Sequence, residues 1–148
     1  MAVVHGPNLN LLGEREPEIY GTETLAEIDR ALDEEGRRLG LAVECFQSNA
    51  EGALIDQIHG VSRRAELLIL NGGGYTHTSV AIADAVAAVR HRMPAIEVHL
   101  SIPGARESFR RTSLLEGVVV GRIEGFGSLS YLLALRAAST LLGRRGRL

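Results

Sequence analysis

The chain has 148 residues, of which 45% are hydrophobic and 23% charged, and a formal net charge of −2. Folding at that length buries roughly 70% of the unfolded chain's surface, so a core forms without disulfides or structural metal, and wholesale disorder and a general nucleic-acid surface are both disfavoured. No apolar run approaches the ~20 residues of a membrane span, no basic and apolar leader opens the chain, and Cys45 is the single cysteine, all of which favour a soluble cytoplasmic protein.

In chain order, Val3–Val4 is a short apolar opening. Thr24 and Glu27 form a T-x-x-E capping box, and Leu25, Ile28, Leu32 and Leu39 follow at nearly helical spacing until Gly40 stops the helix. Leu41–Phe46, Leu67–Leu70, Ala95–Val98 and Val118–Val120 are short, rich in branched residues and flanked by turn formers, so they read as strands. Between them, Asn49 is placed to cap a helix carrying Leu54, Ile55 and Ile58. Thr78 or Ser79 is placed to cap another with Ile82, Ala85, Val86 and Val89 on one face. Gly127–Leu142 is a long final helix, and 143–148 is read as a frayed basic tail. No repeat or linker divides 1–148, which is read as one catalytic domain.

Strands alternating with helices predict an α/β fold. A five-stranded parallel sheet in the order 2-1-3-4-5, with helices on both faces, is the flavodoxin-like three-layer sandwich, and its sites lie beyond the C-terminal strand ends. That rule gathers the segments 5–21, 71–79 and 99–106, and with them Asn8, Arg15, Tyr20, Asn71, His77, His99, Ser101, Arg106 and Arg110. The connection 9–21 is long for a βα loop, and its length and charge favour a lid over an ordinary surface loop.

The chemistry of these residues leaves alternatives open. Tyr20 can serve as a base only if a pKa near 10 falls by about 3, or about 4 kcal/mol. A guanidinium about 4 Å away at an effective dielectric near 20 supplies about that much, and Arg15 is near in sequence. Judged by residue type alone, Tyr20 reads as a packing residue with a satisfied hydroxyl. Glu97 and His99 are two apart, so a strand turns both to one side, where the carboxylate fixes the imidazole tautomer for acid–base work. The same pair with His77 also has the two-His-one-carboxylate composition of a metal site. Gly72-Gly73-Gly74 before a helix start can cradle a phosphate or a small carboxylate, and Arg106 and Arg110, one helical turn apart, can clamp an acid or form a solvated face. His5, His59 and His91 look less organised, the last two as helix-surface residues. All 16 basic residues are arginine, so a lysine Schiff base and a P-loop lysine are both excluded.

Six stretches carry a resemblance: GPNLNLLGEREPEIYG at 6–21, FQSNAEG with LIDQIH at 46–59, THTSVAIADA at 76–85, IEVHLS at 96–101, RESFR at 106–110 and GFGSLSYLLAL at 125–135. In that order and across nearly the whole chain, they resemble type II 3-dehydroquinate dehydratase. The resemblance implies the flavodoxin-like fold and dehydration of 3-dehydroquinate to 3-dehydroshikimate, in the shikimate pathway toward chorismate and the aromatic amino acids, with no metal and no organic cofactor. It implies Tyr20 as the base and Arg15 as the lid residue favouring its phenolate. It further implies His99 as the acid for the departing hydroxyl with Glu97 supporting it, and Asn8 as the holder of a water near the enolate oxygen. Asn71, His77 and Arg110 match substrate-binding positions, as do Leu100 and Ser101, largely through backbone N–H groups. Asp84 matches an acidic residue reaching a neighbouring subunit's site in a dodecamer, a tetramer of trimers. The chain departs from the family pattern at Gly72, Gly74, Ala83, Ile102, Pro103 and Gly104. Rival readings are a flavin- or nucleotide-binding module built on the glycine run, disfavoured by the absence of tryptophan and 4% aromatics, and a metal-dependent hydrolase built on His77, Glu97 and His99.

Overall fold

Alternation at period two within three strands sets the arrangement. In β1 (Ala2–His5), Ala2 and Val4 enter one core and Val3 the other. In β3 (Leu68–Asn71), Leu68 and Leu70 part from Ile69 in the same way, and in β4 (Ala95–His99) Ala95 parts from Ile96 and Val98. Strands apolar on both faces need cover on both. β2 (Glu44–Gln47) and β5 (Gly121–Glu124) are the more polar edges. All pairings are parallel and the order is β2-β1-β3-β4-β5, as the β/α alternation predicts. This computed structural model describes residues 1–14 and 16–145, with only the backbone of Pro17, Tyr20, Arg144 and Arg145.

The helices are α1 (Pro17–Tyr20), α2 (Leu25–Arg38), α3 (Glu51–Val61), α4 (Val80–Val89) and α5 (Leu129–Arg145). α3 and α4 cover the Ala2/Val4 face through Leu54, Ile58, Ile82 and Val86; α2 and α5 cover the other through Ile28, Leu32, Leu135 and Ala138. A side chain buried as fully as Leu32 contributes about 1.5–3 kcal/mol. α2 opens on the capping box: Thr24 Oγ1 accepts the Glu27 N–H at 3.3 Å and the Glu27 carboxylate accepts the Thr24 N–H at 2.7 Å. No helix among the described residues is long and apolar enough to cross a membrane.

Several elements differ from the sequence expectation for local reasons. The last strand is Gly121–Glu124, not Val118–Val120. Val118 and Val119 instead pack half-buried in the turn before it, whose N–H groups return to Leu115 O. Side-chain branching marked where the core was covered, while the edge strand itself is polar. Of the two candidate caps α4 takes Ser79, whose Oγ accepts the Ile82 N–H at 2.9 Å, because a 3-10 turn over Gly73–His77 intervenes and leaves Thr78 outside the helix. α3 has no side-chain cap; Asn49 faces the β1 loop instead and accepts the Asn8 N–H at 2.9 Å. β2 begins at Glu44 rather than Leu41. α5 begins at Leu129 and runs through Arg145, three residues beyond the expected end; 146–148 of the expected tail lie outside the described residues.

Candidate active site

The C-terminal ends of β1, β3 and β4 open onto one cleft of about 110 Å³. Asn8 and Pro7 line it from the β1 end, Asn71, Gly73, Gly74 and His77 from the β3 end, and His99, Leu100, Ser101, Pro103, Arg106 and Arg110 from the β4 end. The strand ends come this close because glycine permits it. A Cβ on Gly6 would lie 2.6 Å from Gly72 O, and Gly73, at φ 54°, sits against Pro7. This is what the glycine run does here. It packs β3 against the β1 loop, opens the 3-10 turn over Gly73–His77 rather than the α4 helix, and has its Gly73 N–H already donated to Asn71 Oδ1 at 3.2 Å. The Gly73 N–H is therefore already engaged within the protein.

Glu97 and His99 share a sheet face, as their spacing predicts. His99 Nε2 meets Glu97 Oε1 at 2.7 Å, with Glu97 fully buried and His99 nearly so. Ser113 Oγ, which the sequence reading missed, lies 3.0 Å from both Glu97 oxygens and accepts the Leu115 N–H at 3.1 Å. A buried carboxylate holding both a histidine and a hydroxyl is a satisfied charge. His77 stacks beside His99 with ring centroids 6.5 Å apart, and its Nδ1 donates to Thr112 O at 2.8 Å, so the neutral ring carries its lone pair on Nε2. Glu97, His99 and His77 do not bring three ligand atoms together. Among the described residues, the group whose ligand atoms lie within 4.8 Å of one another is His5, Asp29 and Cys45.

Asn71 reaches the cleft from the opposite sheet face. Its Nδ2 donates to Tyr131 Oη at 3.0 Å, and behind Tyr131 stands His5, which the sequence reading set aside. Residues 126 apart leave no local signal of such a pair. Arg106 and Arg110 both line the cleft, yet they are not one helical turn apart on a single helix: Arg106 follows the 3-10 turn Pro103–Ala105 and Arg110 lies within a second one, Ser108–Arg111. Glu107 lies between, 2.6 Å from Arg110 Nε, and its own backbone N–H and then Arg110 hold its carboxyl below the usual range.

Asn8 holds a left-handed conformation at φ 67°. Leu9 and Leu12 anchor the start of the 9–21 segment in the core, and Leu11 is exposed. Tyr20 ends α1, while Arg15 lies outside the described residues. Asp84 is exposed on α4 and does not line this cleft. Of the unusual loop residues, Pro103 is buried in the cleft wall, and Ile102 is exposed against Gly125, where an added Cβ would meet it at 2.7 Å. His59 is exposed on α3, and His91 is exposed in the turn after α4 rather than on it.

A family model described as dehydroquinase class II matches residues 1–139. The chain is 53% identical over 142 residues to a 3-dehydroquinate dehydratase of Desulforudis audaxviator (strain MP104C), covering 96% of this chain and 93% of that protein. It is 50% identical over 144 residues to a 3-dehydroquinate dehydratase of Trichodesmium erythraeum (strain IMS101), covering 97% and 95%. Among solved structures it resembles the type II dehydroquinase of Propionibacterium acnes, with TM-score 0.90 and 41% identity over 95% of each chain.

Proposed function

The chain belongs to the class II dehydroquinase family, and from that premise we propose that it dehydrates 3-dehydroquinate to 3-dehydroshikimate by proton abstraction and acid-assisted loss of hydroxide. The observation that carries this reading is the buried Glu97–His99 pair, 2.7 Å apart, with His99 lining the cleft. Glu97 takes the Nε2–H, so Nδ1 is the ring atom left to carry a proton to the substrate.

Tyr20 removes the proton beside the ketone, and the C–H electrons move into an enolate. Arg15, in the same 9–21 segment, favours the phenolate by proximity of charge. Asn8 holds a water against the enolate oxygen, where a dipole stabilises the charge that develops. The enolate then expels the β-hydroxyl as His99 protonates it. A C–H and a C–O bond break, a C=C bond forms and water leaves. The proton gained by Tyr20 returns to His99 through solvent. Asn71, His77 and Arg110, with the backbone at Leu100 and Ser101, hold the polyhydroxy acid, and Arg110 answers its carboxylate. Nothing in this scheme calls for a metal or an organic cofactor. The same proposal includes a cytoplasmic location and a dodecamer, a tetramer of trimers, in which Asp84, exposed on α4, serves a neighbouring subunit's site.

The test is growth of the conjugated enone chromophore when 3-dehydroquinate is added. The wild-type chain produces it in the presence of a strong chelator. Tyr20→Phe abolishes it while still binding the product, and near-normal turnover by that variant would remove Tyr20 as the base.

A further inference from the structure

Asp29, His5, Tyr131 and Asn71 form an unbroken hydrogen-bonded chain from α2 through the core to the cleft. Counting donors and acceptors gives it one direction. Asn71 Nδ2 donates to Tyr131 Oη at 3.0 Å. Burial pushes the Tyr131 phenol pKa up, so the hydroxyl keeps its proton. That proton has His5 Nδ1 as its acceptor at 2.8 Å, which leaves the imidazole proton on Nε2, donated to Asp29 Oδ1 at 2.9 Å. Each hydrogen bond of the chain then has one donor and one acceptor, with His5 accepting on one side and donating on the other.

Cys45 lies at the outer end of the chain, where burial and the Asp29 carboxylate push its thiol up and keep it protonated. Both His5 nitrogens are engaged. The His5, Asp29 and Cys45 grouping is thus the terminus of a hydrogen-bonded chain rather than a metal centre.

The consequence falls on Asn71. A carboxamide can sit either way round, and its two orientations present opposite chemistry to a substrate. Tyr131 has committed its proton to His5, so it can only accept, and the amide nitrogen must face it. Asn71 Oδ1 is then directed to the Gly73 N–H, 3.2 Å away in the cleft wall. We propose that Asp29, His5 and Tyr131 are positioning residues that fix the orientation of the Asn71 carboxamide and the backbone at Gly73, leaving the second Asn71 N–H for a substrate oxygen. None of the three lines the cleft, whereas Asn71 and Gly73 do. This inference rests on the dehydratase reading for its substrate, though its geometry stands without it.

Two readouts separate the inference from that reading. Tyr131→Phe keeps the ring and removes the acceptor. We expect KM for 3-dehydroquinate to rise about tenfold, the loss of one oriented hydrogen bond, with kcat changed by less than about threefold. In the same variant without substrate, the Asn71 side-chain amide signals shift in the NMR spectrum and the Gly73 amide exchanges faster. His5→Leu reproduces both effects; His5→Gln, which keeps an acceptor, brings KM back to within about threefold of wild type. If the wild-type chain forms no enone, the dehydratase reading fails, and the Asn71 and Gly73 signals alone decide the inference. Unchanged signals or an unchanged KM in folded Tyr131→Phe would overturn it, and if that variant does not fold, equal behaviour of His5→Leu and His5→Gln would do so.

Discussion

Two buried histidines end strands of this sheet, His5 on β1 and His99 on β4, and each meets a carboxylate through Nε2, at 2.9 and 2.7 Å. They sit on opposite faces: His5 on the side covered by α2 and α5, His99 with Glu97 on the other. They part at the second nitrogen. Tyr131 takes that of His5 inside the core, whereas His99 lines the cleft. A carboxylate–histidine pair is therefore not in itself a proton donor. The same two groups hold a neighbour still when enclosed and can deliver a proton when the free side of the ring meets a substrate.

That contrast can be broken most sharply at His99. His99→Ala should lower kcat by about 10²- to 10⁴-fold, the usual contribution of a positioned acid; a fall of similar size in His5→Gln would erase the distinction. Glu97→Gln comes next. Losing the charge on one hydrogen bond costs about 2 kcal/mol in the transition state, or about 30-fold in kcat, and a rate within twofold of wild type would mean that Glu97 does not support the acid. Ser113→Ala should act mainly on stability. It strips the hydroxyl shared by both Glu97 oxygens, and denaturant unfolding should show a loss of about 1.5–3 kcal/mol with a smaller rate effect than Glu97→Gln. The mildest is Asp29→Asn. The new side chain still offers His5 an acceptor at a half-exposed position, so kcat should stay within about twofold. Kinetic loss as large as in Glu97→Gln would place both carboxylates in the same role.

The legibility of the molecule follows the same division. Sheet order came from the alternation of apolar strands and helical patterns, and the Thr24–Glu27 cap and the Glu97–His99 pair came from residues two or three apart, where the backbone period alone brings side chains together. What stayed hidden depends on the closed fold. Val118–Val120 looked like a strand because branching reports burial as readily as pairing, and the true strand is a polar edge. Thr78 and Ser79 were indistinguishable until the 3-10 turn between β3 and α4 set the helix start. The glycine run suggested an anion site, yet its Cβ-free backbone serves the contact between β1 and β3. Ser113 beneath Glu97 and Tyr131 beneath Asn71 are invisible to spacing, since each partner is far away in the chain.

The central claim is that His99 gives the second proton after Tyr20 has taken the first. The direct measurement is 3-dehydroquinate incubated with His99→Ala in D₂O, following deuterium entry beside the ketone by mass spectrometry and enone formation by ultraviolet absorbance in the same sample. The account predicts continued exchange of the α-proton with enone formation slowed at least about 100-fold. Exchange and elimination lost together, or elimination proceeding at the wild-type rate, would contradict it.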